Sequence, residues 1–414
     1  MGPGSATEIR EEIAGESALA LVPTFVVVAV DATGMGIILP LLPFYSQRLG
    51  ATPFQLGALI SVYAVCQLVA GPVVGMLSDR YGRRKVLLVS QIGTFIGFVL
   101  LALAANLTLV FLARIIDGLT SGNISVAHAY AAEHSPPATR KQALGMTSGA
   151  IGTGLLLGPA LSSFLVHYGQ TAPVWAAAAL SLISIFATIA LLPPDHPASE
   201  PLYQHRVPEP TLTRSLLGMR YAWRLLGLLI VFFFVVNSMF LSQIGLFLSA
   251  RFSWDGHPFG ARELGWMFAY AGFINMMVQG LLIARANLIA SDRAIVMAAF
   301  ACMGLGFAGL AAGNNVSLLA IYLTLIIVGT MFARSTLTAE LSRATAINRQ
   351  GMIMGLNQSL MSGANISAPL LSGALIGHRL FATWALAMAA IAAIGAALAG
   401  QLLDTPRTRQ DRSR

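Results

Sequence analysis

Polar and apolar positions are sorted along this chain on the scale of a membrane rather than of a soluble core. No Asp, Glu, Lys or Arg occurs between Lys141 and Asp195, from Ala294 to Ala333, or from Leu380 to Leu403. Each gap holds one or two segments of the roughly 20 apolar residues that cross a bilayer. Backbone groups in hydrocarbon must be satisfied within the segment or a closed barrel, and continuous apolar runs without alternation select helices. The pattern predicts twelve spans, at 19–42, 54–77, 86–105, 107–132, 143–166, 173–192, 221–248, 264–284, 294–312, 316–341, 352–376 and 382–403.

One long polar break interrupts this series. Residues 193–220 are proline-rich, carry His196, His205, Arg206 and Arg214, and read as a linker between two six-span halves, 19–192 and 221–403. Residues 1–18 and the basic 404–414 are the terminal segments. Gly145, Gly158-Pro159 and Trp175 recur as Gly355, Ala368-Pro369 and Trp384, about 210 residues later. The expected fold is therefore an all-α membrane protein of two pseudo-symmetric six-helix bundles.

Composition agrees: 56% of residues are hydrophobic and 10% charged, too apolar for one soluble core. The net charge of +8 is a topology signal rather than a nucleic-acid footprint. Nearly all Lys and Arg fall in one set of alternate loops, while the other set holds only Arg48, Arg251, Arg262 and Arg379, so both termini are expected in the cytoplasm. Cys66 and Cys302 sit in separate apolar runs and suggest no disulfide. The histidines, including His128 and His134, show no metal-ligand spacing. Neither Lys85 nor Lys141 follows a glycine-rich phosphate loop, which leaves no nucleotide cradle, and no enzyme motif is evident. No cofactor is expected, and the partners are a small molecule, protons and lipid.

The loop after the second span reads Gly75-Met-Leu-Ser-Asp79-Arg80-Tyr-Gly82-Arg83-Arg84-Lys85. Asp79 suits the positive end of a neighbouring helix, and Arg80 a carboxylate such as Glu133, so the loop can latch the halves. This segment resembles the signature of the major facilitator superfamily, Gly-x-Leu-Ala-Asp-Arg-x-Gly-Arg-Lys. Gly280-Leu-Leu282-Ile-Ala284-Arg285 is similar to a decayed second copy, with Ala284 in the acid's place. Asp31-Ala-Thr-Gly34-Met-Gly36-Ile-Ile-Leu-Pro40 and Arg114-Ile-Ile-Asp117-Gly118 resemble drug and proton antiporters of the tetracycline-efflux branch. Gly154-x-x-x-Gly158-Pro159 resembles that group's antiporter motif, with Ser162 and Ser163 where glycines are typical. The resemblance implies a monomer of the bacterial cytoplasmic membrane that exports drugs by antiport and so gives antibiotic resistance, and it implies that Gly154, Gly158 and Pro159 seal the interface of the halves. Gly97 stands where tetracycline carriers place an acid, which argues against tetracycline itself.

Buried ionisable groups carry the expected chemistry. Asp31 lies mid-span, where a carboxylate must face water, pair or take a proton. Arg114 and Asp117 share a helical face and can pair with each other or with Asp31. Asp31 is expected to exchange the proton, with Arg114 and Asp117 tuning it and contacting substrate. The second half offers Asn237, Gln243, Asn275, Gln279, Asn357, Gln358, Asn365 and Arg334 as substrate contacts, with helix-to-helix hydrogen bonding as the alternative for the amides and surface snorkelling for Arg334. A metabolite, sugar or lipid carrier working as importer, uniporter or flippase is the competing function. A receptor role finds little surface outside the membrane.

Overall fold

A computed structural model of the full chain describes residues 4–122, 126–127, 129–131, 140–192, 220–254, 256–282, 285–286, 289–313, 315–345 and 350–403. It is helical almost throughout. The helices are α1 (Gly4–Arg48), α2 (Pro53–Tyr81), α3 (Arg83–Ala102), α4 (Leu107–Thr120), α5 (Arg140–Leu165) and α6 (Ala172–Leu191). After the polar break come α7 (Arg220–Phe232), α8 (Leu241–Arg251), α9 (Ala261–Met277), α10 (Asp292–Ala312), α11 (Val316–Arg343), α12 (Gln350–Gly377) and α13 (Phe381–Leu402). A two-residue hairpin, Ser253–Trp254 with His257–Pro258, turns at Gly256 between α8 and α9.

Among the described residues, ten helical stretches are long and apolar enough to cross a membrane. The fold is thus an all-α membrane fold. Two of the twelve segments of the apolar pattern fall short: α4 is described for 14 residues and α9 for 17. Helix α4 closes at Ser121, whose backbone is extended, and α9 passes into a π-helical segment, Val278–Leu282. Helix α1 also begins earlier than its apolar run, at Gly4, through Ala, Glu and Arg residues that favour helix.

Two π-helical segments interrupt the regular geometry, Phe233–Phe240 between α7 and α8, and Val278–Leu282 after α9. The first is pinned from α12, where the Ser372 hydroxyl donates to the Met239 carbonyl at 2.9 Å and receives the indole N–H of Trp384. Ser372 and Trp384 are fully buried, so removing the hydroxyl strands a donor that water cannot reach. Ser372→Ala is expected to cost about 1–3 kcal/mol. A lowered thermal midpoint of the detergent-purified protein would show it; an unchanged midpoint would contradict it. Phe232, just before this segment, and Phe233, its first residue, are buried in packing.

Contacts divide the described chain into two compact units whose membership interleaves. The first gathers α1 through Tyr45, residues from Val65 to the end of α6, and Ala261–Ala269. The second gathers Ser46–Ala64, α7 through Gly260, and residues from Tyr270 onward. Within the first unit, a Cβ at Gly265 would stand 2.8 Å from the Pro159 carbonyl oxygen and 2.6 Å from the Ser163 Cβ. The Ser163 hydroxyl donates to the Arg262 carbonyl at 2.6 Å. The second unit repeats the arrangement: Gly57 lies directly against the Pro369 carbonyl, Gly373 against the Pro53 carbonyl, and the Ser61 hydroxyl donates to the Ile366 carbonyl at 2.7 Å. In each unit a glycine near the start of one helix abuts the carbonyl of the helical proline in another. The recurrence of the proline in sequence is thus matched by a recurrence of its packing.

Candidate functional site

The first unit buries the residues with acid–base chemistry. Asp31 on α1 and Asp117 on α4 are 6% and 4% exposed. Asp117 is seated by glycine: a Cβ at Gly97 of α3 would be 3.0 Å from the Asp117 Cβ, so a side chain at 97 would compete for the space of the carboxylate. One turn earlier on α3 lies Thr94, also buried. The Arg114 Nη1 donates to Asp117 Oδ2 at 2.9 Å, and both side chains are largely withdrawn from solvent. The i, i+3 spacing therefore produces the ion pair that it suggests.

Removing one partner of such a pair costs more than removing both, because it leaves an uncompensated charge. Arg114→Met is expected to destabilise the purified protein by about 3–5 kcal/mol, and Arg114→Met with Asp117→Leu by less. Equal losses in thermal unfolding would show that the pair is not coupled.

Small residues hold α1 in place around Asp31. A Cβ at Gly154 of α5 would meet Ala32 and the Thr33 amide at 2.6 Å, and one at Gly158 would meet the Gly36 Cα at 2.6 Å. Van der Waals packing and close backbone approach take the place of a hydrophobic driving force between helices in lipid. The glycines of this motif therefore face α1, as does the ring of Pro159, while the Pro159 carbonyl and Ser163 of the same helix meet Gly265. Val27 and Val28, a turn before Asp31, pack against Val126, Ala127 and Tyr130. Gln91 of α3 donates to the Ser184 hydroxyl at 2.8 Å, and Ser184 donates to the Val27 carbonyl at 3.3 Å, a buried chain linking α3, α6 and α1.

The signature loop turns on one residue. Gly82, between α2 and α3, has φ +99°, which glycine adopts without a Cβ clash. Arg83 pairs with Asp79 at 2.5 Å and donates to Ser78 at 2.9 Å, while the Arg80 guanidinium lies over the Tyr81 ring. Arg84 donates to the carbonyls of Thr188 and Ile189, at 3.3 and 2.6 Å, and so caps the end of α6. Gly75 borders open space. Glu133 lies outside the described residues.

The second unit sorts the remaining candidates. Gln243 is fully buried and donates to the Pro53 carbonyl at 3.0 Å. Asn365 accepts from Ser238 of the π-helical segment at 2.6 Å. The Asn275 carbonyl oxygen accepts from Gln279. Asn357 is half-buried on α12, and Arg334 is exposed on α11. Asn237 belongs to the π-helical segment, with its side chain outside the described set.

Two groupings went unseen in the sequence. Glu340 is 1% exposed, accepts from Tyr221 at 3.3 Å and pairs with Arg343 at 2.7 Å, and Arg343 reaches Asp292 at 3.3 Å. The second half thus gathers its charges at the start of α10 and the end of α11 rather than at residue 284. Only the i, i+3 spacing of Glu340 and Arg343 could have signalled this. Tyr270 and Thr324, joined hydroxyl to hydroxyl at 2.6 Å, have no sequence signal, being 54 residues apart.

Comparison with known proteins follows this geometry. Residues 24–339 match the Major Facilitator Superfamily. The class C tetracycline resistance protein of Escherichia coli is 27% identical over 360 residues, covering 86% of this chain and 89% of its own. The class E protein of Escherichia coli is 31% identical over 265 residues, 62% of this chain and 63% of its own. Multidrug resistance protein 2 of Bacillus subtilis (strain 168) is 24% identical, covering 83% of this chain and 85% of its own. Among solved structures, the human organic anion transporter MFSD10 (TETRAN) superposes with TM-score 0.66 at 20% identity over 92% of this chain and 99% of that one. The nucleoside transporter NupG does so with TM-score 0.73 at 13% identity over 93% and 99%. These two establish a shared fold. The chain belongs to the major facilitator superfamily and is a multi-pass membrane protein, a secondary transporter of the drug-efflux type rather than an enzyme.

Proposed function

We propose that this protein exports amphipathic drugs or toxic metabolites in exchange for protons. The observation that carries the reading is a mid-span carboxylate, Asp31, buried in the same unit as the Arg114–Asp117 pair. A carboxylate is useful for coupling where conformational exchange changes its access to solvent, because a proton taken up on one side can then be released on the other. Relatives named for tetracycline and multidrug resistance support the same direction. In this reading the chain forms twelve spans as two six-helix bundles, 19–192 and 221–403, joined by a cytoplasmic linker at 193–220. Both termini lie in the cytoplasm, the membrane is the bacterial inner membrane, and the working unit is a monomer.

Alternating access moves one half against the other around substrate. Asp31 takes up the proton, and the Arg114–Asp117 pair sets its proton affinity. Arg334, Asn237, Gln243, Asn275, Asn357 and Asn365 are the substrate contacts proposed for the second half. Gly75, Asp79, Arg80, Gly82, Arg83, Arg84 and Glu133 form the proposed gate, with Gly154, Gly158 and Pro159. Cells expressing the protein are expected to accumulate less of a cationic dye, and collapse of the proton gradient is expected to remove the difference. Unchanged accumulation across a chemically diverse dye panel would overturn the reading.

A further inference from the structure

Helix α11 has two kinds of exposed surface. Leu318 and Ile321, 41% and 54% exposed, lie on an apolar stripe suited to hydrocarbon. Three residues on from Ile321, Thr324 opens a polar stripe beside it that continues through Met331 and Arg334. The α9 side brings matching groups to it. The Tyr270 phenol, itself exposed, meets the Thr324 hydroxyl at 2.6 Å, and Gln279 Nε2 reaches the Met331 sulfur at 3.8 Å as well as Asn275.

Exposed polar side chains deep in a span do not face lipid, since hydrocarbon satisfies none of their hydrogen bonds. Arg334 stands nine positions, about 14 Å of helix, before Arg343 at the end of α11. Gln279 sits in the π-helical segment Val278–Leu282, a distortion that recurs at functional sites. The face is therefore built for water and for a solute.

We propose that Tyr270, Thr324, Asn275, Gln279, Met331 and Arg334 form a substrate wall that selects amphipathic compounds carrying a carboxylate or similar planar anion. The inference rests on the transport reading above and names its substrate class. The guanidinium offers a planar fork that fits a carboxylate two bonds at a time. The methionine sulfur supplies a deformable apolar surface for a ring system, and the hydroxyls and amides either donate or accept.

The test uses two dyes with the same ring system, rhodamine 110, which has a free carboxylate, and rhodamine 123, its methyl ester. Initial uptake rates are measured in proteoliposomes of the full chain with an acidic lumen. The wild-type protein is expected to show a lower KM for the acid than for the ester. Arg334→Gln is expected to raise the KM for the acid by about tenfold or more while leaving that for the ester within about twofold. Arg334→Lys, which keeps the charge and loses the fork, falls between, and it carries the test if the glutamine variant does not fold. Parallel changes for both dyes in these variants would overturn the wall. Transport of the ester without the acid would also overturn it and leave proton-coupled export standing. Movement of neither dye by the wild-type protein would instead count against the transport reading itself.

Discussion

Asp31→Asn is expected to abolish transport driven by a pH gradient, lowering the initial rate in proteoliposomes by at least about a hundredfold. The amide matches the carboxylate in size, so the contacts of Ala32, Thr33 and Gly36 with Gly154 and Gly158 are preserved and the thermal midpoint changes little. What disappears is a group that exchanges a proton. Exchange of labelled dye for unlabelled dye, which needs no net proton movement, should continue in the variant. This split separates a coupling role from a structural one: if Asp31 only held helices together, driven transport and exchange would fall in step. Asp117→Asn should behave otherwise. It leaves Arg114 buried beside a neutral partner, so stability falls, and in the protein that remains the pH dependence of driven transport shifts rather than disappears.

The second large effect is expected at the glycines that abut helical prolines. Gly57→Val and Gly265→Val each place a branched side chain against a backbone carbonyl, Pro369 in one unit and Pro159 in the other. A side chain in the way can change rotamer; a carbonyl in a helix cannot, so the helices must separate. Overpacking costs about 1–3 kcal/mol, with these sites at the upper end because backbone is the obstacle. Dye efflux should fall more than about tenfold in either variant. Gly152→Ala on α5 is the control, because a Cβ there meets open space. Efflux unchanged in both valine variants would mean that these seats are dispensable.

The sequence pattern made the helices legible because lipid imposes a length and a composition on each of them. Hence most spans appear at the expected positions, and the Arg114–Asp117 pair could be read from local spacing alone, whereas in the signature loop Asp79 takes Arg83 and Arg80 lies over Tyr81, with Glu133 outside the described residues. Twelve segments do not become twelve described spans, since α4 and α9 end at 14 and 17 residues while apolar composition continues past them. Hydropathy counts residues and is blind to a helix that changes its winding, so the π-helical segments at Phe233 and Val278 were invisible.

Partners distant in sequence were invisible for a different reason. Gln243 and Asn275 look alike as amides in apolar runs, yet one binds the Pro53 carbonyl 190 residues away and the other meets Gln279 one turn on. Gly154 and Gly158 announce close packing by their size but not which helix they admit. Pro159 and Pro369 were visible as a repeat, whereas Gly57 and Gly265, which complete the motif in space, had no reason to stand out among 40 glycines. Glu340 passed as one more charge near a helix end, although Tyr221 and Arg343 enclose it.

Proton release on dye binding tests the central claim most directly. Purified protein in weakly buffered detergent, titrated with a transported dye and followed with a pH indicator, should release on the order of one proton per bound dye when Asp31 starts protonated. Asp31→Asn should bind the dye and release none. Equal release from the variant, or dye binding by the wild-type protein at the same affinity from acid to neutral pH with no proton released, would contradict the exchange of a proton at Asp31 for cargo.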